Sequence, residues 1–299
     1  MDAYDIRKKP SLEEKDLLAL NFIRSPGAFV FRRHYRTGLR SHLFEVLVPE
    51  EVQKERAGIQ INGHLLFPRA RPLKMLRLFR TRFGTYREAL EELGRVQLIV
   101  RFLAPRHVAR SNEFLVTYQL GGTGEILLGG LQEYVPGKIL NPWAPLDHQA
   151  LADLLRRASV LFSAPVIMSL QERVQKVRGS VQSFVARVKK MIKQAAHIPD
   201  LAGIGNLIMT ADGQLKLVDI NNISPISSEK PIFKDEHGYP VCDKSFEALA
   251  LLEKKVLGVP SPEEDAFYQP FLDPDRMKDV SEMVRAFILS SQEGQEKTP

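Results

Sequence analysis

A long amphipathic segment near the middle of the chain constrains the fold more than any other feature. Ser169-Leu-Gln-Glu172 is a capping box, in which the two side chains bond each other's backbone amides and start a helix. Apolar residues then recur at helical spacing: Val174, Val177, Val181, Phe184, Val185, Val188, Met191 and Ile192. The residue before Pro199 is disfavoured in the helical region. The sequence therefore predicts a long core helix that ends at Ala196-His-Ile-Pro199.

The composition is that of a globular protein. The 299 residues are 44% hydrophobic and 26% charged, which is enough to bury a core in one large or two small domains. No apolar run is long enough to cross a bilayer, and the first residues contain no hydrophobic segment typical of a secretory signal. A single cysteine, Cys242, excludes an internal disulfide. We therefore expect a cytoplasmic protein in which Cys242 is a buried apolar side chain.

Helix and strand patterns divide the chain into four parts and predict an α+β fold. Residues 1–27 form an N-terminal helical extension, which a capping box at Ser11 and Glu14 opens. Residues 28–137 contain short strand patterns and one helix over 85–103, which predicts an antiparallel sheet. Residues 138–289 are mainly helical, and 290–299 form a disordered polar tail. Turn signals separate the strand patterns at Thr37-Gly38, Ala57-Gly58, Asn62-Gly63 and Gly121-Gly-Thr-Gly124.

Residues 200–222 contain the candidate chemistry. They begin with Asp200 in a loop, reach Asn206 where a short hairpin starts, and place Asp219 after the second strand. This order resembles the protein-kinase-like superfamily, especially the aminoglycoside phosphotransferases and lipopolysaccharide core kinases. In those families H-x-D-x-x-x-x-N precedes a hairpin and a D-F-G or I-D-F motif. Here the loop is one residue longer and Asp219-Ile-Asn221 replaces the glycine motif, so the resemblance is divergent. Gly203 and Gly205 let the longer loop turn back toward Asn206.

The resemblance implies a two-lobed protein-kinase-like fold, with an antiparallel-sheet N-lobe and a mainly helical C-lobe, that uses ATP and Mg²⁺. Phosphoryl transfer requires a metal held against the phosphates and an acceptor hydroxyl placed in line. By resemblance, Asp219 and Asn206 are metal ligands, Asp200 accepts or orients the proton of the acceptor hydroxyl, and Asn221 or Asn222 assists. The implied nucleotide contacts are Lys74, which binds phosphate and pairs with Glu88, Glu91 or Glu92 of the helix, and the backbone groups of Glu133 and Val135, which touch the adenine. The acceptor is a sugar, a lipid or another small molecule, because no activation segment ending in A-P-E follows Asp219.

Basic residues are concentrated in the first third of the chain. Residues 1–110 hold 22 of the 42 Lys and Arg but only 12 of the 36 Asp and Glu. The run over 68–82 contains six basic residues and no acidic one. It is either an ordinary solvated face or a contact surface for an anionic membrane or lipopolysaccharide. The contact residues would be Arg69, Arg71, Arg77, Arg80 and Arg82. No helix-turn-helix, zinc motif or aromatic interleaving supports nucleic acid as a partner.

Three functions stay open at this level. The first is a Mg²⁺-dependent phosphotransferase. The second is a catalytically inactive pseudokinase that binds or regulates, which the missing G-x-G-x-x-G loop and the altered motif at Asp219 favour. The third is a basic adaptor that docks on an anionic surface through residues 69–82. If the chain has none of these three functions, the segment 200–222 is an ordinary hairpin closed by an Asp-Gly turn.

Overall fold

A computed structural model of the chain describes residues 5–25, 27–35, 40–120, 123–162 and 167–296. The turn signals at Thr37-Gly38 and Gly121-Gly122 lie outside these ranges, as do residues 297–299. The described residues form a mixed α+β protein with an antiparallel sheet, which confirms the predicted fold class at that level. None of the helices in these ranges is long and apolar enough to cross a membrane.

The chain divides into two compact units. The first unit comprises Met1–Gly94 and Ala109–Tyr134, and the second comprises Arg95–Val108 and Val135–Pro299. The chain leaves the first unit for the last time after Tyr134, three residues before the predicted boundary at residue 137.

The first unit is built around one antiparallel sheet. The strands of this unit are β1 (Val30–Arg33), β2 (Ser41–Leu47), β3 (Ile59–Ile61), β4 (His64–Leu66), β5 (Lys74–Phe79), β6 (Ser111–Leu120) and β7 (Thr123–Glu133). Its helices are α1 (Glu14–Leu18), α2 (Pro49–Ala57) and the start of α3 (Tyr86–Leu103). The main sheet has the order β1-β2-β5-β7-β6, whereas β3 and β4 form a separate hairpin.

The N-terminal residues belong to the core of the first unit. Ile6, Leu12 and Leu17 pack with Phe44 and Leu78 of the sheet, so residues 1–27 are not a separate extension. Helix α1 begins later than predicted, and its capping box uses Glu13 and Asp16 in place of Ser11 and Glu14. This position places Leu17, which is fully buried, toward the sheet.

Helix α3 has the predicted bounds but a different buried face. The sequence places Leu90, Leu93, Val96 or Gln97, and Val100 on one face, yet Leu90 is 58% exposed and Val100 is 39% exposed. The fully buried residues of the helix are Ala89, Ile99 and Leu103, and Val96 is also buried. The prediction holds for Val96 but not for Leu90 and Val100, because two overlapping apolar stripes run along this helix and tertiary packing selects between them.

The second unit is mainly helical. Its helices are the end of α3, α4 (His148–Phe162), α5 (Leu170–Ala195), α6 (Val241–Leu252), α7 (Gln269–Leu272) and α8 (Pro274–Glu296). Its strands are β8 (Lys138–Ile139), β9 (His197–Pro199), β10 (Leu207–Met209), β11 (Leu215–Leu217) and β12 (Ile223–Pro225). Strands β8, β10 and β11 form one small sheet, and β9 pairs with β12 in another.

The long core helix is confirmed as α5. Its capping box at Ser169 and Glu172 is formed, and the eight apolar positions identified in the sequence are buried. The helix ends at Ala195, and its C-cap Ala196 adopts the left-handed conformation directly before the paired strand β9. Cys242 is buried and fully covered, as predicted.

Two later helices differ from their predicted limits. The apolar pattern of SFEALALLEKKVL predicts a helix over 245–257. Helix α6 begins four residues earlier, at Val241, and continues as a π-helical turn over Glu253–Leu257. Helix α8 continues to Glu296, through part of the stretch 290–299 that the sequence predicts to be disordered.

Candidate functional site

Paired strands of the second unit place the two ends of the polar segment together. Strand β9 runs antiparallel to β12, with Pro199 opposite Ile223. The residues that follow and precede these partners are Asp200 and Asn222, and the backbone amide of Asp200 donates to the carbonyl of Asn222 at 2.9 Å. The strand pairing therefore brings together residues 22 positions apart.

The carboxylate of Asp200 is buried and hydrogen-bonded on both oxygens. Oδ1 accepts the backbone amides of Ala202 at 2.8 Å and Gly203 at 3.3 Å. Oδ2 accepts the side-chain amide of Asn222 at 2.7 Å. The residue is 8% exposed, and Asn222 is 9% exposed. These bonds fix the side chain of Asp200 in one orientation at the start of the loop.

The loop after Asp200 returns to Asn206 as the two glycines predict. The Asn206 side-chain Nδ2 donates to the carbonyl oxygen of Asp200 at 3.0 Å. Gly203 lies directly against this amide, because a Cβ at residue 203 would stand 2.5 Å from Asn206 Nδ2. Gly205 has a φ of 111°, a conformation that glycine adopts far more readily than other residues. Both glycines are therefore needed for the position of Asn206.

The hairpin formed by β10 and β11 brings Asp219 to the same place. Leu207 lies opposite Leu217, and just beyond this pair the amide of Val218 donates to the carbonyl of Asn206 at 2.8 Å. Asp219, the next residue, is close enough for its negative charge to raise the pKa of Asp200. Asp219 Oδ1 also accepts the backbone amide of Asn221 at 3.4 Å. The structure thus brings together Asp200, Asn206 and Asp219.

Burial makes Asp200 a weaker acid than an ordinary aspartate. Loss of water around the carboxylate, together with the charge of Asp219, raises the pKa of Asp200 from 3.8 to about 6. The hydrogen bonds from Ala202, Asn222 and Gly203 favour the ionised form and oppose this rise. Tyr239 is near enough to respond to Asp200, since burial and the Asp200 charge raise the pKa of its phenol to about 12. Asp200 can therefore exchange a proton near neutral pH.

The donor chemistry at Asp219 and Asn206 suits a hard cation. Mg²⁺ binds oxygen ligands, commonly one or two carboxylates together with substrate phosphates. Asp219 and Asn206 offer carboxylate and amide oxygens from two backbone segments held together by the hydrogen bond at Val218, and both residues are only half buried. Among the described residues no group of three or more His, Cys, Asp or Glu could hold a metal ion. The pair fits Mg²⁺ shared with a ligand and does not form a cage made of protein groups alone.

Three contributors to this site carried little signal in the sequence. Asn222 lies three residues after Asp219, and the sequence resemblance indicates it only as an assisting residue, as an alternative to Asn221. Ser245, whose Oγ accepts the amide of Leu201 at 3.0 Å, lies on α6. Tyr239 comes from the loop before that helix. Only the tertiary fold brings Ser245 and Tyr239 to the loop, so no local pattern could identify them.

His197, three residues before Asp200, has a structural role. It lies in β9 opposite Pro225, and its Nδ1 is 2.7 Å from the carbonyl oxygen of Ala195. The histidine therefore bonds the backbone at the end of α5.

The residues implied for nucleotide binding have other partners. Glu88 accepts the backbone amide of Gly84 at 2.8 Å, and Glu91 pairs with Arg87 at 3.2 Å. Glu133 pairs with Arg110 at 3.0 Å. The predicted ion pair between Lys74 and Glu88 or Glu91 is therefore replaced by these contacts.

Lys74 itself begins the strand β5 and is exposed. Its register partner on β7 is Glu133, at the end of that strand. Val135 is half buried and is the first residue of the second unit after Tyr134. The sheet therefore brings Lys74 opposite Glu133, a pairing that the sequence pattern did not indicate.

The basic run over 68–82 contains strand β5, whose residues after Lys74 are buried, so the run does not form one exposed surface. The apolar side chains that would face a membrane are Leu73, Met75, Leu76, Leu78 and Phe79, and all of them except Leu73, which is 47% exposed, are buried. Arg77 is 3% exposed and lies 3.7 Å from Glu113, which removes it from any surface.

The other arginines of the run differ in environment. Arg80 donates to the carbonyl of Pro10 at 2.9 Å, and Arg82 pairs with Glu125 at 3.1 Å. Arg69 reaches Glu45 at 3.4 Å, but its side chain is 68% exposed. Arg71 is also exposed. The exposed charges of the run are therefore those of Arg69, Arg71 and Lys74 at its beginning and Arg82 at its end.

Comparison with known proteins gives no relative from which a role could be transferred. No protein-family model matches the chain. No curated protein sequence matches it significantly. The assignment of function therefore depends on the residues and the geometry described above.

Proposed function

We propose that the chain is a Mg²⁺-dependent phosphotransferase of protein-kinase-like fold. It would move the γ-phosphoryl group of ATP to a hydroxyl of a sugar, a lipid or another small acceptor. One observation carries the proposal: Asp200, Asn206 and Asp219 lie close together around one loop. The pairing of β9 with β12 and the hairpin β10–β11 hold them there. The sequence resemblance assigns these three residues to proton transfer and metal binding.

The order of elements supports the same proposal. The first unit has a five-stranded antiparallel sheet, and helix α3 lies between its strands β5 and β6 in the chain. The second unit is mainly helical and carries the loop, hairpin and strand pair. In the proposal, these two units would be the N-lobe and the C-lobe that the resemblance implies. The proposed nucleotide contacts at Lys74, Glu133 and Val135 follow from that correspondence.

In this proposal each residue has a defined task. Asp200 accepts the proton of the acceptor hydroxyl, and its pKa of about 6 leaves it mostly ionised above neutral pH but still basic enough to take a proton. Asn222 and the amides of Ala202 and Gly203 hold that carboxylate in place. Asp219 and Asn206 would hold Mg²⁺, which when bound neutralises charge on the phosphate oxygens.

A second candidate is a pseudokinase, in which the same fold binds or regulates without transferring phosphate. The full engagement of Asp200 favours it, because both carboxylate oxygens already have partners inside the protein and the residue is 8% exposed. The sequence Asp219-Ile-Asn221 and the missing glycine-rich loop also depart from active members of the superfamily.

A thermal-shift titration with ATP, with and without Mg²⁺, tests the nucleotide site. We expect a Mg²⁺-dependent rise in melting temperature of about 5 °C at ligand concentrations far above Kd. Asp219→Asn should lose this rise, because the metal loses its carboxylate. Asp212→Asn is the matched control on the same hairpin, since Asp212 bonds Lys176 and Thr210 and lies in the turn. Absence of any shift in the wild-type protein would contradict both kinase-like hypotheses that bind nucleotide.

Turnover separates the enzyme from the pseudokinase. With a panel of sugar and lipid acceptors, Asp200→Asn should lower the rate of ADP formation by about 100-fold or more while nucleotide binding persists. Nucleotide binding by the wild-type protein without acceptor-dependent ADP formation would favour the pseudokinase.

A further inference from the structure

The hairpin of β3 and β4 is an exposed element of the first unit. Its two-residue turn consists of Asn62 with a φ of 50° and Gly63 with a φ of 80°, the left-handed pair typical of a type I′ turn. The strands pair in register from Ile59 opposite Leu66 to Ile61 opposite His64, and they form a sheet separate from the main one. The backbone of this hairpin is therefore defined by its own turn and pairing.

Apolar side chains are exposed along this hairpin, from Ile61 beside the turn to Leu66 at the base and Phe67 just after β4. Ile61 is 45% exposed, Leu65 50%, Leu66 47% and Phe67 61%. Single exposed apolar residues are ordinary on protein surfaces, whereas a cluster of large ones marks an interaction site. Exposure of three consecutive large apolar residues at 65–67 makes the hairpin such a site.

The direction of these side chains decides what kind of partner fits. Adjacent residues of a strand point to opposite faces, so Leu65 and Leu66 leave the hairpin on different sides. A groove on another protein would cover mainly one face of the hairpin and leave the other in water. A fluid apolar medium surrounds both faces, and the boundary region of a lipid bilayer is such a medium.

The sequence segment that contains the hairpin is basic, although Glu55 directly precedes it and Arg69 lies 3.4 Å from Glu45. Residues 56–74 contain four basic residues and no acidic one. All four are exposed, and they are Arg56, Arg69, Arg71 and Lys74. Basic residues beside an apolar projection add to binding when the lipid surface is anionic, by about fivefold each. The pattern therefore complements an anionic surface.

We infer that the hairpin over 59–67 inserts its apolar side chains into the interface of an anionic bilayer, while the neighbouring arginines contact the lipid headgroups. This contact is independent of the proposed phosphoryl transfer and uses residues of the first unit only. It differs from a contact through the whole run 68–82, because the residues of strand β5 after Lys74 are buried.

Flotation with vesicles tests the apolar part of the contact. The wild-type protein should bind vesicles of phosphatidylcholine and phosphatidylglycerol in a 7:3 ratio and should bind pure phosphatidylcholine at least tenfold more weakly. The triple variant Leu65→Gln, Leu66→Gln, Phe67→Gln should lose at least tenfold in binding to the anionic vesicles. Leu90→Gln is the matched control, since Leu90 is a 58% exposed apolar residue on α3.

A second pair of variants tests the charge. Arg69→Gln with Arg71→Gln should weaken binding to the anionic vesicles by about tenfold or more, and added salt should reduce the difference. Arg87→Gln with Arg156→Gln removes the same charge from exposed helix positions and should leave binding unchanged. Unchanged melting temperatures establish that all variants are folded.

Several results would overturn the inference. These are failure of the wild-type protein to bind anionic vesicles, equal binding by the triple variant, and loss of binding in the control variants. Concentration-dependent dimerisation that the triple variant abolishes, without vesicle binding, would assign the hairpin to self-association instead. Phe67→Trp gives an independent readout, because insertion moves the indole fluorescence to shorter wavelength only when anionic vesicles are present.

Discussion

At the scale of single residues, the candidate site depends on a carboxyl group that the fold removes from water. Burial, aided by the charge of Asp219, raises the pKa of Asp200 from 3.8 to about 6. The folded protein therefore binds this proton more tightly than the unfolded chain does. The stability that the proton contributes is complete below about pH 4 and is lost as the pH rises through about 6.

Replacement of Asp219 by asparagine should shift this titration. Asp219→Asn removes a neighbouring negative charge, so the pKa of Asp200 should fall below about 6 and stability should decrease less between pH 4 and pH 7. The pKa can be followed by carbon-13 NMR of labelled aspartate carboxyl groups, with Asp200→Asn to assign the signal. Asp153→Asn, a change on α4, should leave the titration of Asp200 as it is. An unchanged pKa in Asp219→Asn would show that the two carboxylates do not interact.

At the scale of elements, local signals predicted the helices best. The residues that start α5 and the spacing of its apolar side chains lie within one segment, so they act before any tertiary contact forms. Helix α2 shows the opposite result. Pro49 and two glutamates open it, and Gly58 with a φ of 77° follows its end, yet the surrounding strand patterns led to a prediction of sheet.

Removal of the cap of α5 should weaken the second unit measurably. Ser169 Oγ accepts the amide of Glu172 at 3.3 Å, and the amide of Ser169 donates to Glu172 Oε2 at 2.7 Å. Ser169→Ala should therefore lower the free energy of unfolding by about 1 kcal/mol in urea titrations. Ser281→Ala is the comparison, because the Ser281 hydroxyl bonds a carbonyl within α8 and should matter by less than about 0.5 kcal/mol. Equal effects of the two changes would deny Ser169 a specific capping role.

At the scale of the whole molecule, contacts between distant segments hold the second unit around its site. Arg276 of α8 pairs with Asp243 of α6 at 2.5 Å, and both residues are buried. The same guanidinium donates to the carbonyls of Ser228 at 2.8 Å and Ser227 at 3.1 Å. One side chain thus connects two helices with the loop that follows β12.

Loss of Arg276 should destabilise the protein strongly. Arg276→Met leaves the Asp243 carboxylate buried without its cation, and we expect a decrease in unfolding free energy of about 3–5 kcal/mol. The double variant Arg276→Met, Asp243→Leu should be less destabilised than Arg276→Met, since the buried charge is gone. Lys230→Met breaks an exposed pair with Asp279 and should have little effect in the same urea titrations. If Arg276→Met lowers the free energy of unfolding no more than Lys230→Met does, the contacts of Arg276 do not stabilise the second unit.

The candidate site was predictable only in part. Asp200, Asn206 and Asp219 lie within 20 residues in the sequence, and the glycines that turn the loop are visible there. Ser245 and Tyr239 reach the loop from another segment, and no local pattern specifies such long-range packing. The basic run was misjudged for the same reason, because the register of β5 between β2 and β7 buries Arg77, whereas Arg69 lies before the strand and is exposed.

The sequence by itself determined the α+β class, the long helix α5 with its cap, and the order of loop, hairpin and aspartate in residues 200–222. These properties depend on side chains a few residues apart, whose spacing and capping act locally. The tertiary structure alone decided which face of α3 is buried, which arginines reach solvent, and that Asn222 holds the carboxylate of Asp200. Each of those outcomes requires strands or helices distant in the chain to pair, and the free energy of that pairing depends on all the partners together.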